Sequence, residues 1–170
     1  MSMRFIPLIA LVALSLSACG PSKADVADLA QSKAEAAAYM AKAAKEEGFK
    51  ALPSGVLYKV VRSGPATGEH PKVADEIKIH YEGKLAATGK VFDSSYERGT
   101  PAVFPLAMLI PAWKEALVQM RPGDEWTLIV PPEQGYGEEN MGGGEIPPNS
   151  VLIFRIELIG ILAHPEMGQG

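Results

Sequence analysis

Residues 151–158 place the tightest constraint on what this chain can fold into. Leu152, Phe154, Ile156 and Leu158 alternate with Val151, Ile153, Arg155 and Glu157. A two-residue period puts one set on each side of a strand, so the segment belongs in a sheet with a core against one face. Ile77, Ile79 and Tyr81 alternate in the same way with Lys78, His80 and Glu82, up to Gly83. Trp126, Leu128 and Val130 alternate with Thr127 and Ile129 until Pro131-Pro132 stops the strand. Val56, Tyr58 and Val60 can share a face opposite Lys59. One segment has a different period: Trp113, Ala116, Leu117 and Met120 follow helical spacing after Pro111 and before the turn Arg121-Pro122-Gly123-Asp124. Strands interrupted by one amphipathic helix predict an α+β domain. Its antiparallel, twisted sheet would wrap around one short helix and leave its other face partly wet.

The N-terminal third reads differently. Residues 25–47 contain no Gly or Pro and are rich in Ala, Lys and Glu, which predicts a helix ending at Gly48. Val26, Leu29, Ala37, Met40, Ala41 and Ala44 fall on one stripe of it. That stripe is mostly alanine, so each residue contributes little on burial. The helix fits a spacer or a dimerisation element. Ahead of it, Arg4 and the apolar residues 5–16 suit a signal peptide and are too short to span a bilayer. They lead into Leu16-Ser17-Ala18-Cys19, which resembles the lipobox of bacterial lipoproteins and makes the sole cysteine, Cys19, the lipidation site. Ordinary secretory cleavage and a buried thiol are the other readings of that cysteine. Gly20, in place of an Asp, favours the outer membrane, facing the periplasm. The chain thus divides into a signal peptide (1–18), an anchor leader and helical tether (19–52), and a folded domain (53–170).

Several function classes find no support. The net charge is −4 and no basic cluster stands out, which argues against nucleic acid as a partner. His70, His80 and His164 lack ligand spacing, so no metal is expected, and no cofactor motif is present. Gly142-Gly143-Gly144 has no following Lys or Ser/Thr and is flanked by Glu138, Glu139 and Glu145, unlike a phosphate cradle.

What remains is a set of aromatic residues where strands meet loops. Ile79-His80-Tyr81-Glu82-Gly83, then Gly89-Lys90-Val91-Phe92-Asp93-Ser94-Ser95, Leu109-Ile110-Pro111-Ala112-Trp113, Gly135-Tyr136-Gly137 and Ile146-Pro147-Pro148-Asn149-Ser150 occur in order over residues 54–161. This ordered set resembles the FKBP-type peptidyl-prolyl cis-trans isomerases. The segment Leu52-Pro53-Ser54-Gly55 resembles bacterial relatives of the macrophage infectivity potentiator.

The resemblance implies catalysis of X-Pro bond rotation, with Tyr81, Phe92, Asp93, Tyr136 and Phe154 as catalytic residues. Arg98, Phe104, Leu109, Ile110, Trp113 and Ile146 would complete substrate binding, with the Tyr136 hydroxyl and the Ile146 N–H holding substrate carbonyls. Asp93 would be a buried carboxylate partnered by Tyr81 and Arg98. On the residues alone, it is equally a turn residue before Ser94-Ser95. Implied partners are proline-containing polypeptides, macrolides such as tacrolimus and rapamycin, and a membrane reached through lipidated Cys19, in a monomer or weak dimer. Ala102 and Glu145 depart from the family pattern. A periplasmic holdase chaperone is the alternative function.

Overall fold

The computed structural model describes residues 23–162. The proposed signal peptide and Cys19 lie outside the described residues. Helix α1 spans Lys23–Ala43 and is followed by strands β1 (Lys50–Ala51) and β2 (Leu57–Arg62). Next come β3 (Glu76–Leu85), β4 (Val91–Ser94), β5 (Ala102–Pro105), helix α2 (Pro111–Leu117), β6 (Glu125–Val130) and β7 (Leu152–Leu162). One antiparallel sheet of seven strands has the order β1-β2-β6-β7-β3-β4, with β5 paired to the other half of the same β3 edge as β4. Among the described residues no helix is long and apolar enough to cross a membrane.

The alternation read from the sequence decides which face is dry. Ile77, Ile79 and Tyr81 from β3, Leu128 and Val130 from β6, and Leu152, Phe154, Ile156 and Leu158 from β7 are buried on one face. α2 lies against it with Trp113, Ala116 and Leu117 buried as expected, and Met120, just past the end of the helix, is buried too. Pro111 sits at the start of that helix, where its missing N–H costs nothing. β3 does not end at Gly83, however, but continues to Leu85, with Gly83 still on the inward face.

The opposite face is less wet than the sequence implies. Leu57, Ile129 and Ile153 are register partners across β2, β6 and β7 and form an apolar row on the back of the sheet. α1 packs over this row, burying Ala36 and Ala43 and partly burying Tyr39 and Met40. The docked stripe is therefore rotated from the predicted one: Met40 belongs to it and Leu29 is half-buried, whereas Val26, Ala37, Ala41 and Ala44 are exposed. Alanine on every side of the helix left the direction of this face unmarked. α1 is thus not a free-standing spacer over its described length.

Candidate active site

β3, β4, β5, β7, α2 and two loops meet at one end of the inner face, around a cavity of about 260 Å3. Tyr81, Phe92, Asp93, Phe104, Leu109, Ile110, Trp113, Tyr136 and Phe154 line it, so most of the expected positions converge. Trp113 forms the floor. Tyr81 meets it edge-on with ring centroids 5.3 Å apart, and Phe154 does so at 5.1 Å. Phe92 stands edge-on to Phe154 at 5.9 Å, and Phe104 tilts against Tyr81 at 5.9 Å. Edge-to-face contacts of this kind fix ring orientation as well as burying area.

Phe92 and Asp93 are neighbours in β4, and a regular strand would send them to opposite faces. Gly83 pairs with Asp93 while Lys84 pairs with Val91, so Phe92 is an extra residue in a β-bulge. The bulge re-aims the strand and lets both side chains reach the cavity. Gly83 makes room for it: a Cβ there would lie 2.7 Å from ring atoms of both Phe92 and Phe154.

Asp93 is half-exposed at the cavity mouth, where a buried carboxylate was expected. The reason is that β4 is an edge strand and the following turn, which carries Arg98, is exposed. The Tyr81 hydroxyl donates to Asp93 Oδ2 at 2.5 Å, Arg98 pairs with Oδ1, and Arg98 also donates to the Tyr81 hydroxyl at 2.9 Å. Partial burial pushes the Asp93 carboxyl up. Donation from Tyr81 and Arg98, the Arg98 charge and the Ser94 backbone outweigh it, so the pKa lies below the ordinary carboxylate value. Burial, then the bond to Asp93, raises the Tyr81 hydroxyl, which stays a proton donor. The Tyr136 hydroxyl is raised as well, by burial first and the Asp93 charge second.

Two expected positions fall elsewhere. Arg98 acts on Asp93 and does not line the cavity. Ile146 lies in an adjoining recess with Met141 and Glu145, sharing only Phe92, Asp93 and Tyr136 with the main cavity. Its N–H donates to the Met141 carbonyl at 3.1 Å, which removes it as the expected substrate donor. The tight Met141–Ile146 bridge, closing a loop over three glycines, consumes that group. Ile110, by contrast, precedes α2 in an extended conformation. Among the described residues its N–H has no intramolecular partner, nor has the Tyr136 hydroxyl.

Sequence reasoning also missed Met108, which is 82% exposed at the cavity rim, and Gly83. The inward phase of β3 carried through Gly83 was a usable signal for the second, and nothing local marked the first. Among the described residues no cluster of three His, Cys, Asp or Glu side chains is placed to hold a metal ion.

A family model described as FKBP-type peptidyl-prolyl cis-trans isomerase matches residues 67–159, and one for the domain amino-terminal to that isomerase matches residues 21–60. The chain is 47% identical over 114 residues to peptidyl-prolyl cis-trans isomerase Mip of Coxiella burnetii, covering 67% of this chain and 48% of that protein. It is 41% identical over 139 residues to FkpA of Escherichia coli, covering 82% and 50% respectively. The chain thus spans about half the length of the curated relatives it matches. The crystal structure of Escherichia coli FkpA superposes with a TM-score of 0.73 over 82% of this chain and 63% of that one. A peptidyl-prolyl isomerase from Pseudomonas syringae, 33% identical, gives 0.72 over 79% and 96%. The chain belongs to the FKBP-type peptidyl-prolyl cis-trans isomerase family.

Proposed function

We propose that the chain is a peptidyl-prolyl cis-trans isomerase acting on proline-containing polypeptides outside the cytoplasm. The observation that carries this reading is an aromatic cavity with two unpartnered donors, the Ile110 N–H and the Tyr136 hydroxyl, on its lining.

Uncatalysed X-Pro isomerisation takes ~10–100 s with an activation energy of ~20 kcal/mol, because rotation breaks amide resonance. A twisted amide is less polar than a planar one. A cavity of Trp113, Tyr81, Phe92, Phe104 and Phe154 excludes water, so it binds the twisted form better than the planar form. The proline ring rests on Trp113. The Ile110 N–H and Tyr136 hydroxyl each donate to a substrate carbonyl and hold the chain while the peptide plane turns. Asp93 accepts from Tyr81 and Arg98 and fixes the Tyr81 ring and the charge at the mouth. It is not a general base, since no proton moves in the reaction.

Two observations support this location. One relative, at 39% identity, carries the name outer membrane protein MIP of Legionella longbeachae. The Leu16-Ser17-Ala18-Cys19 motif, outside the described residues, supplies a lipid site that would anchor the domain through α1. The same cavity is the proposed site for macrolide ligands such as rapamycin.

The test is isomerisation of a Leu-Pro tetrapeptide by the full chain, with and without rapamycin. Turnover that the drug abolishes, with kcat/KM falling up to about tenfold in Tyr136→Phe chiefly through a higher KM, is the expected result. A folded protein without turnover rejects the enzyme and leaves the holdase reading, which suppression of client aggregation would then measure.

A further inference from the structure

Asn149 occupies an unusual position between α1 and the active-site rim. It is buried and has φ 56°, a left-handed conformation that Asn tolerates better than most residues. Its backbone N–H donates to the Gly137 carbonyl at 2.8 Å, and Gly137 directly follows Tyr136. Its side-chain Nδ2 donates across the fold to α1, to Ser32 Oγ at 3.0 Å and to the Leu29 carbonyl at 3.3 Å. The Ser32 hydroxyl in turn donates to the Leu29 carbonyl at 3.0 Å, so it is free to accept from Asn149 and the donor roles are consistent. These partners are separated by 117 and 120 positions in sequence.

The rest of that interface is thin. Ala36 is the buried residue nearest to Ser32 along the helix, and a cavity of about 310 Å3 opens between α1 and residues 147–151. Near Ser32 the helix buries only an alanine beside a solvent-open groove and gains little from packing, so directional hydrogen bonds account for much of its register there. We propose that α1 is a latch on the active site: Ser32 and Leu29 hold Asn149, and Asn149 positions Tyr136 for the substrate. Ser32 and Asn149 are positioning residues for the proposed isomerase, and this inference rests on that reading for its kinetic arm. Release of α1 leaves the fold standing, because α2 and the inner face carry the main core, and loosens the grip of the Tyr136 hydroxyl.

The test uses the full chain and three substitutions. Ser32→Ala removes the acceptor while favouring the helix. Asn149→Gly keeps the left-handed backbone and deletes the amide. Ser32→Thr restores a hydroxyl. Tyr136 grips substrate before and during rotation, so Ser32→Ala and Asn149→Gly are expected to raise KM for the Leu-Pro tetrapeptide about two- to fivefold. kcat should change little, and Ser32→Thr should recover KM. The backbone amide resonances of Tyr136 and Gly137 should shift in Ser32→Ala, although Ser32 lies across the fold from both. Folded Ser32→Ala and Asn149→Gly proteins with unchanged KM and unmoved Tyr136 and Gly137 resonances would overturn the latch. If the wild type shows no turnover, the enzyme reading fails, and the amide resonances alone decide whether α1 reaches the rim.

Discussion

The two helices cover opposite faces of one sheet in opposite ways. α2 has only seven residues, yet Ala112, Trp113, Ala116 and Leu117 are buried in it. α1 has 21 residues, and among its described side chains only Ala36 and Ala43 are buried. Length does not anchor a helix; the area and shape of what it buries do. α2 presents Trp113 and Leu117 to a sheet face lined by Ile, Leu and Phe and also supplies the floor of the cavity. α1 lays two alanines and the half-buried Tyr39 and Met40 over a row of Leu57, Ile129 and Ile153, with an open groove beside it. Among the described helices α1 is therefore the more weakly anchored and α2 the more firmly held.

Substitutions can break or sharpen this contrast. The largest effect is expected at the buried face of α2: Leu117→Ala should destabilise by about 2–5 kcal/mol in urea unfolding, as a cavity opens in a packed core. Gly83→Ala should cost about 1–3 kcal/mol, because the new Cβ meets both Phe92 and Phe154 and the bulge must shift. It should also lower kcat/KM for the tetrapeptide, and a crystal structure would show displaced rings. Asp93→Leu should reduce turnover about tenfold or more while the urea midpoint moves little, since the half-exposed carboxylate orients Tyr81 and carries little of the core. Retained turnover in that variant would remove Asp93 from the mechanism.

Acid titration should give a smaller effect. The folded-state pKa of Asp93 is depressed, so its pairing stabilises the fold above the ordinary carboxyl pKa and is lost as pH falls through the depressed value. Below about pH 4 the wild type should lose under about 1 kcal/mol that Asp93→Leu never had, since solvent screens this exposed pair. On the α1 side, Tyr39→Ala should change stability by less than about 1 kcal/mol, because Tyr39 is only half-buried beside a solvent-open groove. A loss there as large as that of Leu117→Ala would abolish the distinction between the helices.

Much of the site was readable because its signals are local. Trp113 comes with a proline-started helix, and Tyr81 and Phe154 come with strand alternation, so pattern alone put these three on the inner face, whereas Leu109 and Ile110 came with the family resemblance. Asp93 was readable as a residue and not as an environment: its exposure depends on β4 being an edge strand. The donor assigned to Ile146 failed for a related reason, since its partner Met141 is set by a glycine loop whose closure no periodicity reports.

The sequence by itself determined β2, β3, β6 and β7, the inward face of the last three and the short helix, because side-chain period and turn chemistry are written within a few residues, and its ordered motifs carried the family. The tertiary structure alone decided the bulge that turns Phe92 and Asp93 to one cavity, the docking of α1 on the back of the sheet, and the tie from Ser32 to Asn149. Each of these depends on two distant segments meeting at ångström precision. Alanine, asparagine and serine carry too little hydrophobic or rotameric preference to announce such a meeting in advance.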